Sequence, residues 1–167
     1  MPVLPIRCYP DAVLKQPAAP VDRLTEKTAR FIDSLIRTMR QHPRCVGLAA
    51  PQVGSNLRIA VMDATGHPNV PHAQGLLVLV NPEIVKAEGQ VRQREGCLSV
   101  PDLTGNVLRA AAVEIVAHDQ AGARFTRQLE GFEAIIAQHE IDHLDGRLFL
   151  DRVVNPGTDV FRRKSYG

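Results

Sequence analysis

Between Asp22 and Met39 the apolar positions Leu24, Ile32, Leu35, Ile36 and Met39 recur at helical spacing among polar residues. Asp22 is the candidate N-cap and Pro43 lies beyond the end, so the pattern predicts an amphipathic helix over 22–39. Leu57 to Asp63 and Leu76 to Pro82 are short apolar runs bounded by Gly, Pro and Asn, which predicts two strands around a surface loop. Partial alternation follows over 83–100 and 107–119, and 123–131 completes a hairpin after a turn at Ala121 and Gly122. A second helical pattern begins at Glu130 and runs to Leu144, stopped by Asp145 and Gly146. The expected class is therefore α+β: antiparallel or mixed sheets around a central late helix, with an N-terminal amphipathic helix.

Composition narrows the picture modestly. With 167 residues and 44% hydrophobic content, one domain spanning 1–167 can fill a core, and no repeat or linker divides it. Twenty basic against eighteen acidic residues leave a net charge of +2, too weak a field to imply a specific nucleic-acid partner or an anionic membrane. No stretch of 18 apolar residues occurs, and three widely spaced cysteines, Cys8, Cys45 and Cys97, fit a reducing compartment better than a disulfide framework. A soluble, unsecreted chain is expected. The one basic run, Arg162 to Lys164, reads as a solvated tail.

The candidate chemistry starts at "QHEIDH", which sets His139 and His143 four residues apart with Glu140 beside the first. On an α-helix four residues turn through about 400° and rise about 6 Å, so both imidazoles can reach one ion. Glu140 projects roughly 60° away from His143, badly placed to chelate but able to reach a water on that ion. Phe132, Ile135 and Ile136, one and two turns earlier, give the site an apolar wall. An ordinary helix with two histidines is the competing reading, and zinc peptidases share the H-E-x-x-H pattern. They take a third ligand downstream, but here no Glu follows Glu140 and no His follows His143, which leaves only Asp145, Asp151 and Asp159 as possible carboxylate ligands there. Upstream, Cys97 in "REGCLSVPD" lies at a predicted strand end, where Gly96 permits close approach and Pro101 interrupts the strand. In "CVGLAAPQVG", Gly47, Ala49 and Ala50 leave room at the backbone, and the Gln52 amide can face a developing oxyanion. Taken singly, Cys97 and Gln52 read as a buried hydrophobe and a loop amide.

Together, "GLAAPQ" from Gly47, "EGCLS" from Glu95 and "QHEIDHLDG" from Gln138 resemble, in order and spacing, the three motifs of peptide deformylase. The resemblance implies a single catalytic domain that removes the formyl group from the initiator methionine of nascent polypeptides and releases formate. It implies Cys97, His139 and His143 as ligands of one divalent ion: Fe2+ physiologically, with Zn2+, Ni2+ or Co2+ as substitutes. Glu140 is then the general acid/base, and Gln52 and the Leu98 N–H are the oxyanion donors. Val46 and Gly47 pair with substrate backbone, while Glu95, Phe132, Ile135 and Ile136 surround the methionine side chain. The implied partner is the formylated nascent chain and the implied location the bacterial cytoplasm, with an organelle as the alternative.

Two departures from the family pattern stand out. Cys45 and Arg44 occupy places where relatives usually carry glycine and an acidic residue, so a narrower entrance, an altered affinity for peptide or a second oxidisable thiol is expected, with activity retained. Beyond His143 the chain is broken by Pro156 and Gly157 and predicts no long terminal helix for docking on the ribosome. Only a weak electrostatic contact through Arg162, Arg163 and Lys164 is left to replace it.

Overall fold

The computed structural model describes residues 2–163, so Lys164 of the basic run lies outside the described residues. Helix α1 spans Glu26–Gln41 and starts four residues later than the spacing suggests, because Thr25 rather than Asp22 caps it: Oγ1 of Thr25 accepts from the Thr28 N–H at 3.2 Å. Asp22 is exposed in the preceding segment. Strands β1 (Gly47–Ala49), β2 (Ile59–Met62), β3 (Leu77–Glu88), β6 (Ala112–His118) and β7 (Arg124–Glu130) form one sheet in the order β1-β2-β3-β6-β7. Strands β4 (Val91–Cys97), β5 (Val100–Arg109) and β8 (Val160–Arg162) form a second, smaller one. Every ladder between these strands is antiparallel, so no mixed sheet occurs among them. Pairing of β8 with β5 corrects the expected solvated tail: the basic run begins inside a sheet.

Period-two alternation in β2 and β3 explains how the large sheet holds a helix on each face. Ile59, Val61, Val78 and Val80 point one way, into a core shared with Ile32, Leu35 and Met39 of α1. Ala60, Met62, Leu77 and Leu79 point the other way and meet Ile136, Ile141 and Leu144 of α2 (Gly131–Leu144). A third cluster, Leu14, Cys97, Val100, Val107, Leu148 and Phe149, lies under the small sheet. Helix α2 is thus covered on both sides, which is why Glu133, Glu140, Asp142 and His143 are buried on it beside the apolar residues. Among the described residues no helix is long and apolar enough to cross a membrane.

Candidate active site

Two elements converge on the site. Cys97 ends β4, and a two-residue turn at Leu98 and Ser99 reverses the chain into β5, with Cys97 registered against Val100. Pro101 therefore sits near the start of the return strand rather than ending the outgoing one. The turn delivers the thiol to α2: Cys97 Sγ lies 3.3 Å from His143 Nε2, and the donor atoms of Cys97, His139 and His143 all lie within 4.8 Å of one another. Cys97 and His143 are buried and His139 half-buried. The imidazoles meet edge to face with centroids 5.0 Å apart.

Charge around this trio is arranged behind the donors. Glu95 Oε1 lies 2.7 Å from His139 Nδ1, so His139 turns its other nitrogen towards Cys97. Arg109 donates to both oxygens of Glu95, at 2.7 and 2.8 Å, and at 2.6 Å to Asp142, which also receives Arg152. The series His139, Glu95, Arg109, Asp142 and Arg152 alternates in its capacity for charge, and its three middle members are buried. Burial alone would push the Glu95 carboxyl up, but the Arg109 and His139 hydrogen bonds outweigh it and hold it at about 2. Burial pulls His139 down, yet bonds to Cys97 and Glu95 keep it well above the ordinary imidazole range. His143 is held well below that range by burial and by His139 beside it, so it stays neutral. Burial raises Glu140 to about 7.

These residues fit a divalent cation on their own chemistry. A thiol and two imidazoles form a three-donor set that leaves room for a fourth ligand, as catalytic sites require. Glu95 supplies the carboxylate support that ligating histidines characteristically have.

The remaining residues singled out from sequence take varied places. Gln52 is buried, with Oε1 accepting from Ala49 N–H at 3.0 Å; this turns Nε2 towards Cys97 Sγ at 3.4 Å and Ser99 Oγ at 3.2 Å. Leu98 occupies the first turn position beside Cys97. Val46 and Gly47 lie at the edge of the large sheet, where a side chain on Gly47 would stand 2.6 Å from Glu140 Oε2. Oε1 of Glu140 is buried and has no hydrogen-bond partner. Phe132 is half-buried and stacks on His67 at 4.3 Å, and Ile135 is buried outside the three apolar clusters, as a cleft wall would be. Ile136 packs into the large core instead. Glu95, expected at the methionine pocket, has both oxygens engaged by His139 and Arg109 and supports the donors from behind. Cys45 donates to Gly47 O at 3.2 Å; burial and nearby Glu140 push its thiol up to about 12, so it is a poor candidate for the expected second reactive thiol. Arg44 turns the chain with φ of 63° in the left-handed region.

Sequence reasoning missed Arg109, Asp142 and Ser99. A lone arginine in the apolar "VLRAAAV" and an aspartate inside a helix buried on two sides were the available signals, since both demand partners.

Comparison with known proteins agrees with this geometry. Residues 3–159 match the family model described as polypeptide deformylase. A peptide deformylase of Halothermothrix orenii is 48% identical over 160 residues, covering 96% of this chain and 99% of the relative. The crystal structure of a peptide deformylase from Legionella pneumophila superposes with a TM-score of 0.84 at 40% identity, covering 91% of this chain and 86% of that one. A Met-Ala-Ser-bound class I type b peptide deformylase from Acinetobacter baumannii gives 0.84 at 36% identity, covering 91% and 99%. With the match running through nearly the whole chain and through every element that carries the donors, the chain belongs to the polypeptide deformylase family.

Proposed function

We propose that residues 1–167 act as a single catalytic domain in which Cys97, His139 and His143 hold the metal. The activity is that of the family: metal-dependent hydrolysis that removes the N-formyl group from nascent polypeptides. The observation that carries the site assignment is the three-donor cluster with the unpartnered, buried Glu140 carboxyl beside it.

A divalent cation held by these donors supplies Lewis acidity to the formyl carbonyl and acidity to a water. Glu140 accepts the proton of the attacking water at its carboxylate and passes it to the leaving amine, so water and the formyl amide become formate and a free N-terminus. Burial that raises its affinity for protons suits a group that must both take and return one near neutral pH. Gln52 Nε2 and the Leu98 N–H donate to the carbonyl oxygen as it gains charge. Glu95 locks the His139 ring, and Arg109 locks Glu95. Val46 and Gly47 offer the sheet edge to the peptide backbone, and Phe132 and Ile135 flank the methionine side chain.

Fe2+ is the proposed resident ion, on the resemblance; the same donors accept Zn2+, Ni2+ or Co2+. The proposed substrate is the formylated nascent chain, the proposed location the bacterial cytoplasm, and any ribosome contact a weak one through the basic residues near the C-terminus. Incubating the metal-loaded protein with formyl-Met-Ala-Ser tests the reading. Formate is released without peptide-bond cleavage, Cys97→Ala loses bound metal by elemental analysis, and Glu140→Ala keeps metal but loses turnover. Peptide-bond cleavage in place of formate release would overturn it.

A further inference from the structure

The turn that delivers Cys97 to α2 also delivers a hydroxyl that the chemistry above does not use. Ser99 is fully buried, and its Oγ accepts from Gln52 Nε2 at 3.2 Å. Gln52 is buried as well, and each end of its amide is engaged. Oε1 accepts from the Ala49 N–H, while the two Nε2 hydrogens face two acceptors, Ser99 Oγ and, at 3.4 Å, Cys97 Sγ. Sulfur is the weaker of these acceptors, and it belongs to the three-donor cluster.

The last torsion of a glutamine side chain is soft, so one anchor does not fix the amide. Ala49 holds its oxygen and Ser99 holds one hydrogen, and the second hydrogen is thereby aimed at the donors. A carbonyl oxygen arriving there can take it from the sulfur. Ser99 is itself held from outside, because the N-terminal segment donates twice at positions two apart: Arg7 N–H to Gln52 O at 2.7 Å and Tyr9 N–H to Ser99 O at 2.8 Å. Gln52 and Ser99, 47 residues apart in the chain, are joined through their side chains and through that same short segment. One turn, Cys97 to Ser99, therefore carries a metal donor, the Leu98 N–H and the acceptor that steers Gln52.

We propose that Ser99 is a positioning residue: its Oγ holds one hydrogen of the Gln52 amide so that the other points at the carbonyl oxygen of the formyl group. This rests on the oxyanion role given to Gln52 above. Without the hydroxyl a buried N–H loses its acceptor, and the amide turns away from the reacting oxygen to find another. The cost falls where that oxygen carries charge, so kcat drops by about tenfold while KM stays within about twofold.

The experiment measures formate release from formyl-Met-Ala-Ser by the metal-loaded protein and by Ser99→Ala, Gln52→Ala and the double variant, with bound metal counted in each. Ser99→Ala loses about tenfold in kcat with metal content unchanged, but less than about twofold when Gln52 is already alanine, because the hydroxyl then has nothing to aim. A merely structural serine costs the same in both backgrounds. In the zinc-loaded protein, which is diamagnetic, nuclear magnetic resonance shows one Gln52 Nε2 proton in through-space contact with the Ser99 β-protons, and that proton moves upfield in Ser99→Ala. The contact is read in the unmodified chain, so it tests the proposal even where the variant does not fold. Absence of the contact, native kcat or lost metal in Ser99→Ala, or an equal loss in both backgrounds overturns the assignment, while formate release by the unmodified protein upholds the active site. Native kcat in Gln52→Ala sinks the oxyanion reading beneath it.

Discussion

Replacing Arg109 with methionine tests the charged series behind the donors most directly. Arg109 is 3% exposed and is the only group other than His139 that hydrogen-bonds Glu95 among the described residues. Asp142 would keep two bonds from Arg152, so the loss falls on Glu95. Holding the Glu95 carboxyl at about 2 against an ordinary 4.5 corresponds to about 3 kcal/mol of stability at neutral pH. That agrees with the roughly 3–5 kcal/mol lost when one partner is removed from a buried ion pair. For a domain of this size about 3 kcal/mol lowers the melting temperature by about 6–12 °C. Thermal unfolding with and without a chelator separates a weakened fold from weakened metal binding. The double variant Glu95→Gln/Arg109→Met should be more stable than the sum of its single losses by about 1–3 kcal/mol, since it strands no charge. A loss below about 1 kcal/mol for Arg109→Met, or strict additivity in the double variant, would refute the buried pair.

Acid should act on the same contact: a carboxyl whose folded pKa is depressed contributes stability above about 4.5 that disappears as pH falls towards about 2, and Arg109→Met should flatten that part of the urea-midpoint profile. Gln52→Ala should cut turnover by on the order of 10²-fold or more with metal content unchanged, so near-native turnover would remove Gln52 from the oxyanion role. Gly47→Ala brings a methyl 2.6 Å from Glu140 Oε2, short of ordinary contact by about 0.8 Å, and the displaced carboxylate should cost on the order of 10²-fold in kcat. Unchanged kcat in that variant would mean the carboxylate relaxes without consequence.

The second helix was readable to within a residue because the histidine spacing, the apolar positions and the Asp145-Gly146 stop all agreed on one period. The start of the first helix was not, because Asp22 and Thr25 are both capping residues and only the Thr25 bond to Thr28 decides between them. β1 and β8 are three residues each, too short to display alternation, and are strands only because β2 and β5 lie beside them. The meeting of Cys97, His139 and His143 was legible through the resemblance carried by three motifs at once. The support Glu95 gives to His139 was not legible because its partners, Arg109 and His139, are 14 and 44 residues away in the chain. A contact of that range depends on how two sheets close over a helix, which no local pattern encodes.

That closure has a mechanical meaning. Cys97 and Arg109 belong to the small sheet, while their counterparts His143 and Asp142 are neighbours on α2, beneath the large one. Sulfur to imidazole, guanidinium to carboxylate, and the Glu95 carboxylate to His139 are therefore stitches across one seam. Anything that grips the three donors sutures the halves of the molecule as well as readying the chemistry, and stripping it away would leave Arg109 to Asp142 and Glu95 to His139 to keep the seam shut.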